Sequence, residues 1–255
     1  MATVMDIYHA IDKVAPFSSA LSFDNVGILV GDSQAEVKSA MIVLDITPEI
    51  VKEAAGKNVD LIISHHPVIF SPLKSVTEKD IAYHLIAHRI AAIGCHTNLD
   101  LSPVCGVNVA LGKALKLEDI QLQNEIGEGH ILFTGELPMA LSPKEFATLV
   151  KESLQSKRVH FCEGKNRVKK IAFCSGAGAD EMLLAQKCGA DAFLTGEMKH
   201  HEELEAARLG LTIVTAGHFE TEVVFAKELL AYLEDEVKDV RFSTSVCEKA
   251  AFEVL

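Results

Sequence analysis

The apolar positions of this chain fall into two alternating rhythms. Short, mostly apolar runs of three to eight residues are separated by longer stretches in which apolar residues recur every third or fourth position. The runs Ile28–Val30, Val37–Leu44, Leu61–Ile63 and Ala91–Cys95 read as strands buried on both faces. A similar series follows in the second half at Ile131–Thr134, Lys169–Cys174, Ala192–Thr195 and Leu211–Thr215, with a last strand near Val240–Ser245. Val4, Ile7, Tyr8, Ile11 and Val14 sit at helical spacing behind Thr3 as a cap, with Pro16 as the stop. Thr47-Pro48-Glu49 opens a helix to about Lys57, and Thr77-x-x-Asp80 resembles a capping box opening the next. Further helices are expected over Val107–Leu115, after Ser142-Pro143-x-Glu145, over Asp180–Cys188 and Glu202–Leu209, and around Phe225–Leu233. Glu118–Gly129 reads as irregular. Strands alternating with helices predict an α/β protein.

A shift of 131 positions lays Val37-Lys38 on Val168-Lys169, Glu49 on Asp180, Ala54 on Ala185 and Asp60 on Asp191 without a gap. With a slightly different offset, the strand ending in His96 matches the strand ending in His218, and each histidine has a carboxylate four residues on, Asp100 and Glu222. The expectation is two related α/β domains with mixed sheets, 1–124 and 125–255, the C-terminal segment packing back on the first. Right-handed crossovers put the strand ends on one edge of each sheet. His65, His66, His96 and Asp100 then come from the first half, His218 and Glu222 from the second, converging if the two edges face each other across a cleft.

Those residue types point to a metal. Imidazole and carboxylate ligands in this number exceed one tetrahedral site and suit two divalent ions with a bridging carboxylate and an open position for water. Other features carry less. His84 and His88 are four apart on a helix, but no Glu follows His84 as the metalloprotease motif requires, so they read as surface histidines. Ser175-Gly176-Ala177-Gly178 lacks the third glycine of a dinucleotide fingerprint and reads as a plain turn. Asp24 and Asn25 read as turn residues before a strand.

Composition narrows the partners. The 255 residues are 49% hydrophobic, enough for one large core or two modest ones, and the formal charge of −12 argues against nucleic acid and anionic membrane surfaces. The six cysteines never reach a C-x-x-C spacing, which reads as reduced thiols and a cytoplasmic home. The first sixteen residues have neither the basic nor the apolar region of a signal peptide, and no apolar run reaches the roughly 18 residues of a membrane span.

With Ser64-His65-His66-Pro67, His96-Thr97-Asn98-Leu99-Asp100, Gly217-His218-Phe219-Glu220-Thr221-Glu222, Asp24-Asn25-x-Gly27 and Thr195-Gly196-Glu197 set side by side, the chain resembles the Nif-three-like family nearly end to end. Its members are often named GTP cyclohydrolase 1 type 2 homologues. The resemblance implies a dinuclear divalent-metal site (zinc, iron or manganese) at the junction of two α/β domains, and a toroidal homohexamer. It places metal ligands at His65, His66, Asp100, His218 and Glu222, with Glu222 as bridge, and implies that His96 and His201 face the substrate or carry protons. His201 is preferred to its neighbour His200 in that role. It also implies a metal-dependent hydrolase acting on a nucleotide or related heterocycle. In the activity the family name describes, water adds to the guanine imidazole ring of GTP and formate is lost. A metal carrier or sensor, or a protein-interaction scaffold, is the alternative, and a ring that threads DNA is a third reading that the charge opposes. Two departures stand out: Phe23 occupies a place where many relatives carry Trp, and the chain is too short for the extra middle domain of longer relatives.

Overall fold

The computed structural model describes residues 1–123 and 129–253. In chain order the elements are α1 (Val4–Asp12), β1 (Gly27–Val30), β2 (Ser39–Val43), α2 (Pro48–Gly56), β3 (Leu61–Ser64), α3 (Ile81–Ala87), β4 (Ala91–Gly94), α4 (Thr97–Asp100) and α5 (Val107–Ala114). They continue with β5 (Glu118–Leu122), β6 (Phe133–Leu141), α6 (Pro143–Ser153), β7 (His160–Cys162), β8 (Val168–Phe173), α7 (Met182–Lys187) and β9 (Ala192–Thr195). The last are α8 (His200–Leu209), β10 (Thr212–Thr215), α9 (His218–Glu222), α10 (Phe225–Glu236) and β11 (Arg241–Thr244). The chain is an α/β protein with two mixed sheets.

Two compact units emerge, residues 1–106 with 226–249, and residues 107–225 with 250–255. The first unit holds a five-stranded sheet ordered β1-β4-β3-β2-β11, in which β11, β2, β3 and β4 run parallel and β1 pairs antiparallel with β4. The chain returns through α10 to place β11 beside β2. β2, β3 and β4 are buried at every position, as continuous apolar runs require. Met41, Val43, Ile62 and Ala92 meet Ile50, Val51 and Leu85 of α2 and α3 on one face.

The second unit holds a six-stranded sheet ordered β5-β6-β8-β9-β10-β7, parallel through β8, β9 and β10 and antiparallel at β5, β6 and β7. Alternation along the strands divides its core: Ile171, Phe173 and Val214 pack with Phe133 and Phe146, while Ala172, Phe193 and Ile213 pack with Met182 and Ala206.

The repeat is present in hydrogen bonds as well as in sequence. Asp60 Oδ2 accepts from the Lys38 and Ser39 amides at 2.9 and 3.0 Å, and Asp191 Oδ2 accepts from Lys169 and Lys170 at 3.1 and 3.0 Å. Each carboxylate precedes one strand and caps the free amides at the start of its parallel neighbour. The later part of the repeat needs a correction. Gly94 stands opposite Ser64 as Thr215 stands opposite Thr195, so the register there sets an offset of 121. His218 therefore falls on Thr97, and Gly217 takes the place of His96. The equal spacing to a carboxylate concealed a shift of one residue.

Local readings differ in three further places. Glu118–Leu122 is a strand rather than irregular chain, while residues 124–128, which hold the expected domain boundary, lie outside the described residues. Thr77 donates its amide and hydroxyl to Asp80, which turns the chain so that α3 begins after Asp80 as its N-cap. β7, too short for any periodicity, pairs with β10. Among the described residues no helix is long and apolar enough to cross a membrane.

Candidate metal centre

In the first unit the chemistry gathers where β2, β3 and β4 end. His65 and His66 stay in the ladder for two residues beyond β3, their amides donating to Val43 and Leu44 carbonyls at 3.1 and 2.9 Å. Pro67 then carries the chain away. The His65 ring is wholly buried, and its Nδ1 lies 2.8 Å from the Cys95 carbonyl oxygen. A carbonyl only accepts, so Nδ1 is the protonated nitrogen and Nε2 carries the lone pair. That Nε2 is 3.6 Å from Asp100 Oδ1, at the end of the short helix α4.

The neighbouring rings are oriented in the same way. His66 Nδ1 donates to Asp45 Oδ1 at 2.8 Å, and His96 Nδ1 donates to Asp24 Oδ1 at 3.0 Å. Asp24 also accepts from the Thr97 amide at 2.9 Å and from its hydroxyl at 2.5 Å. Burial would raise the Asp24 carboxyl, but the bonds from His96 and Thr97 outweigh it and hold it well below the usual carboxylate range. Asp24 is therefore ionised and is no mere turn residue. His65, His66 and His96 each offer one ligand atom within 4.8 Å of the others, a group that could hold a metal ion. Their adjacent sequence positions converge despite the period of two expected in a strand. The Cys95 thiol takes no comparable part, because burial pushes its pKa up and keeps it protonated.

The second unit builds its counterpart on backbone. The ends of β8, β9 and β10 are stitched by amides of Gly196 and Glu197 donating to the Gly176 carbonyl at 2.9 and 3.0 Å, and by Gly217 donating to Gly196 at 2.9 Å. His218 opens α9 with Glu222 one turn later. Its Nδ1 lies 3.2 Å from Glu197 Oε1 and its Nε2 3.1 Å from Glu222 Oε2, and the Glu222 side chain is nearly buried. Gly176 (φ +60°) makes this possible: a Cβ there would run into Glu222 Oε1 and crowd His218 Nε2. The glycine turn thus has a part that its motif did not disclose. Beside His218 lies a cavity of about 480 Å³ whose lining includes Arg158, His160, Glu197, Phe219 and Glu220.

Of the residues singled out by sequence, His65, His66, His96 and Asp100 come together in the first unit, and His218 and Glu222 in the second. His201 is placed elsewhere: it sits on the first turn of α8 with its side chain 75% exposed, 4.0 Å from Glu202, outside the histidine groups. Sequence reasoning missed Asp45, and it quoted Asp24 and Glu197 only within motifs, without their part as carboxylates that orient imidazoles. Asp45 and Glu197 lie just beyond strand ends and Asp24 in the turn before β1, none with a spacing of its own. A buried or half-buried histidine whose Nδ1 donates to an oxygen, leaving Nε2 forward, is the usual support of a metal ligand. The donor set fits divalent transition ions rather than calcium or magnesium, which take oxygen.

Relatives agree with the fold. Proteins named GTP cyclohydrolase 1 type 2 homolog match from Campylobacter jejuni, at 34% identity over 90% of this chain and 91% of that one, and from Clostridium perfringens, at 32% over 98% of both. A crystal structure of Staphylococcus aureus protein SA1388 superposes with a TM-score of 0.93 at 28% identity, covering 99% of each chain. Reduced HcgD from Methanocaldococcus jannaschii gives 0.80 at 28%, covering 95% of this chain and 97% of that one. The family model described as Duf34/NIF3 (NGG1p interacting factor 3) matches residues 2–251, and the chain belongs to that family.

Proposed function

We propose that this chain is a dinuclear metal protein and a metal-dependent hydrolase acting on a nucleotide or related heterocycle. In this reading His65, His66 and Asp100 supply ligands in the first unit, and His218 and Glu222 supply them in the second. The observation that carries it is the shared orientation of four imidazoles, each with Nδ1 held by an oxygen: Cys95 carbonyl, Asp45, Asp24 and Glu197. Histidines satisfied for structure alone have no reason to share that arrangement. Bound ions would lower the pKa of a water toward neutrality and polarise the group it attacks.

The protein's own groups complete the chemistry. His96 Nε2 accepts and returns a proton, and the ionised Asp24 steadies the imidazolium through Nδ1. The cavity beside His218 has a volume typical of small-molecule sites, and Arg158 and Phe219 offer it a cation and an aromatic wall. GTP is the substrate that the relatives' names suggest, and a homohexamer is the assembly carried with it.

Metal analysis of protein purified without added ions, followed by turnover of a nucleotide panel, tests the reading. Two ions per chain and nucleotide hydrolysis lost in His66→Ala are expected. Rapid exchange of the ions with a chelator and no turnover would favour the carrier instead, a role that the part-exposed His66 and His96 rings, at 26% and 21%, also suit.

A further inference from the structure

Two phenyl rings beside the first unit's histidine group stand in solvent. Phe23 is 61% exposed and Phe70 50%, with ring centroids 6.4 Å apart and planes at 49°. Phe70 meets His96 edge to face at 6.3 Å and 81°. One exposed phenylalanine is ordinary; a touching pair set against a histidine of a candidate metal group is not.

The rings are placed by polar bonds rather than by packing. Three consecutive residues do this. Phe23 turns outward, Asp24 grips His96 and Thr97, and the Asn25 side-chain amide donates to the carbonyl of Ile69, the residue before Phe70. The Asn25 amide closes the turn on Asp24 Oδ1 at 2.8 Å. The two loops that carry the rings are thus tied to each other and to the imidazole. Apolar collapse alone would not hold two half-exposed rings beside that imidazole.

We infer that Phe23 and Phe70 form a stacking wall for the planar heteroaromatic ring of a ligand engaged at the His65–His66–His96 group. A ring held between them would need about 7 Å, twice the ~3.5 Å contact distance, so the ligand lies on an outer face of the V. Purines and pterins share the required surface. The inference deepens the hydrolase reading and rests on it for the ligand's class, but the wall itself requires neither turnover nor a particular ion.

Calorimetry on the full-length, metal-loaded protein tests it, with GTP as one probe and inorganic tripolyphosphate, the same anion without a ring, as the other. Phe23→Leu and Phe70→Leu should each weaken GTP about tenfold, leaving tripolyphosphate affinity and metal content unchanged. Phe23→Trp should retain GTP binding, which separates loss of the aromatic face from loss of fold. Equal affinity for the two probes, or Leu variants that bind GTP as the parent does, would overturn the inference. So would variants that change sedimentation while keeping GTP affinity, since the rings would then join copies of the chain. Ring-dependent GTP binding by protein that holds no metal would sink the hydrolase reading and leave this inference standing. Ring-independent binding by protein that holds two ions would do the reverse.

Discussion

The two halves of the repeat share a framework and differ in where they keep their chemistry. Asp60 and Asp191 do the same work at the start of equivalent strands. At the strand ends the residues diverge. Asp45, which holds His66 in the first unit, is matched by Gly176, which makes room for Glu222 in the second. His65 and His66 are matched by Gly196 and Glu197, and Glu197 orients a histidine where His66 is one. The first unit thus takes its imidazoles chiefly from the end of β3, the second from the first turn of α9. Strand pairing and capping tolerate little variation because every displaced amide loses its acceptor, whereas residues past the strand ends are free of that constraint.

Gly176→Ala should give the largest effect. The added methyl meets a carboxylate in a left-handed backbone position, so a loss of about 2–4 kcal/mol in denaturant unfolding and a fall in bound metal are expected. Asp45→Ala at the matching place should cost under about 1 kcal/mol of stability, since Asp45 is half exposed. Equal losses would break the comparison. Next, Asp60→Ala and Asp191→Ala each strip two amides of their acceptor and should cost about 2 kcal/mol apiece. A strongly unequal pair in chemical unfolding would mean the framework is not shared.

Asp45→Asn and Glu197→Gln remove equivalent supports from His66 and His218, and each should weaken metal retention about 10–100-fold against a competing chelator. An effect from only one would assign the metal to that unit. The smallest effect tests a feature of the first half alone. Glu53, matched by Leu184, gathers Ser245, Val246 and Cys247 after β11. Burial pushes its carboxyl up, but the bonds from Lys57, Ser245, Val246 and Cys247 outweigh this and hold it at about 2, against 4.5 for the ordinary group. Its contribution is full above pH 4.5 and is lost as pH falls toward 2. Glu53→Gln should remove about 1–2 kcal/mol of acid sensitivity in that window, read from unfolding across pH.

Much of this was legible along the chain. The buried strands announced themselves because every position along them is buried, and Ser142, Thr47 and Thr3 marked helix starts by the bonds they make to the first turn. The histidines at the ends of β3 and β4 stood out for their chemistry. Asp24 and Asp45 did not, since a lone aspartate in a turn looks the same whether it accepts an amide or an imidazole. His201 stands on the exposed first turn of α8, where its letters alone do not tell a site residue from a surface one.

The sequence by itself determined the class of fold, the repeat and the residue types of a candidate metal site, because burial, capping and ligand chemistry are local or periodic properties. Only the tertiary structure decided which nitrogen of each imidazole faces forward, which carboxylate turns it, and that His218 answers to Thr97 rather than to His96. Those are matters of strand register and of contacts between loops far apart in the chain, 72 residues between Asp24 and His96, and no spacing along the chain encodes them.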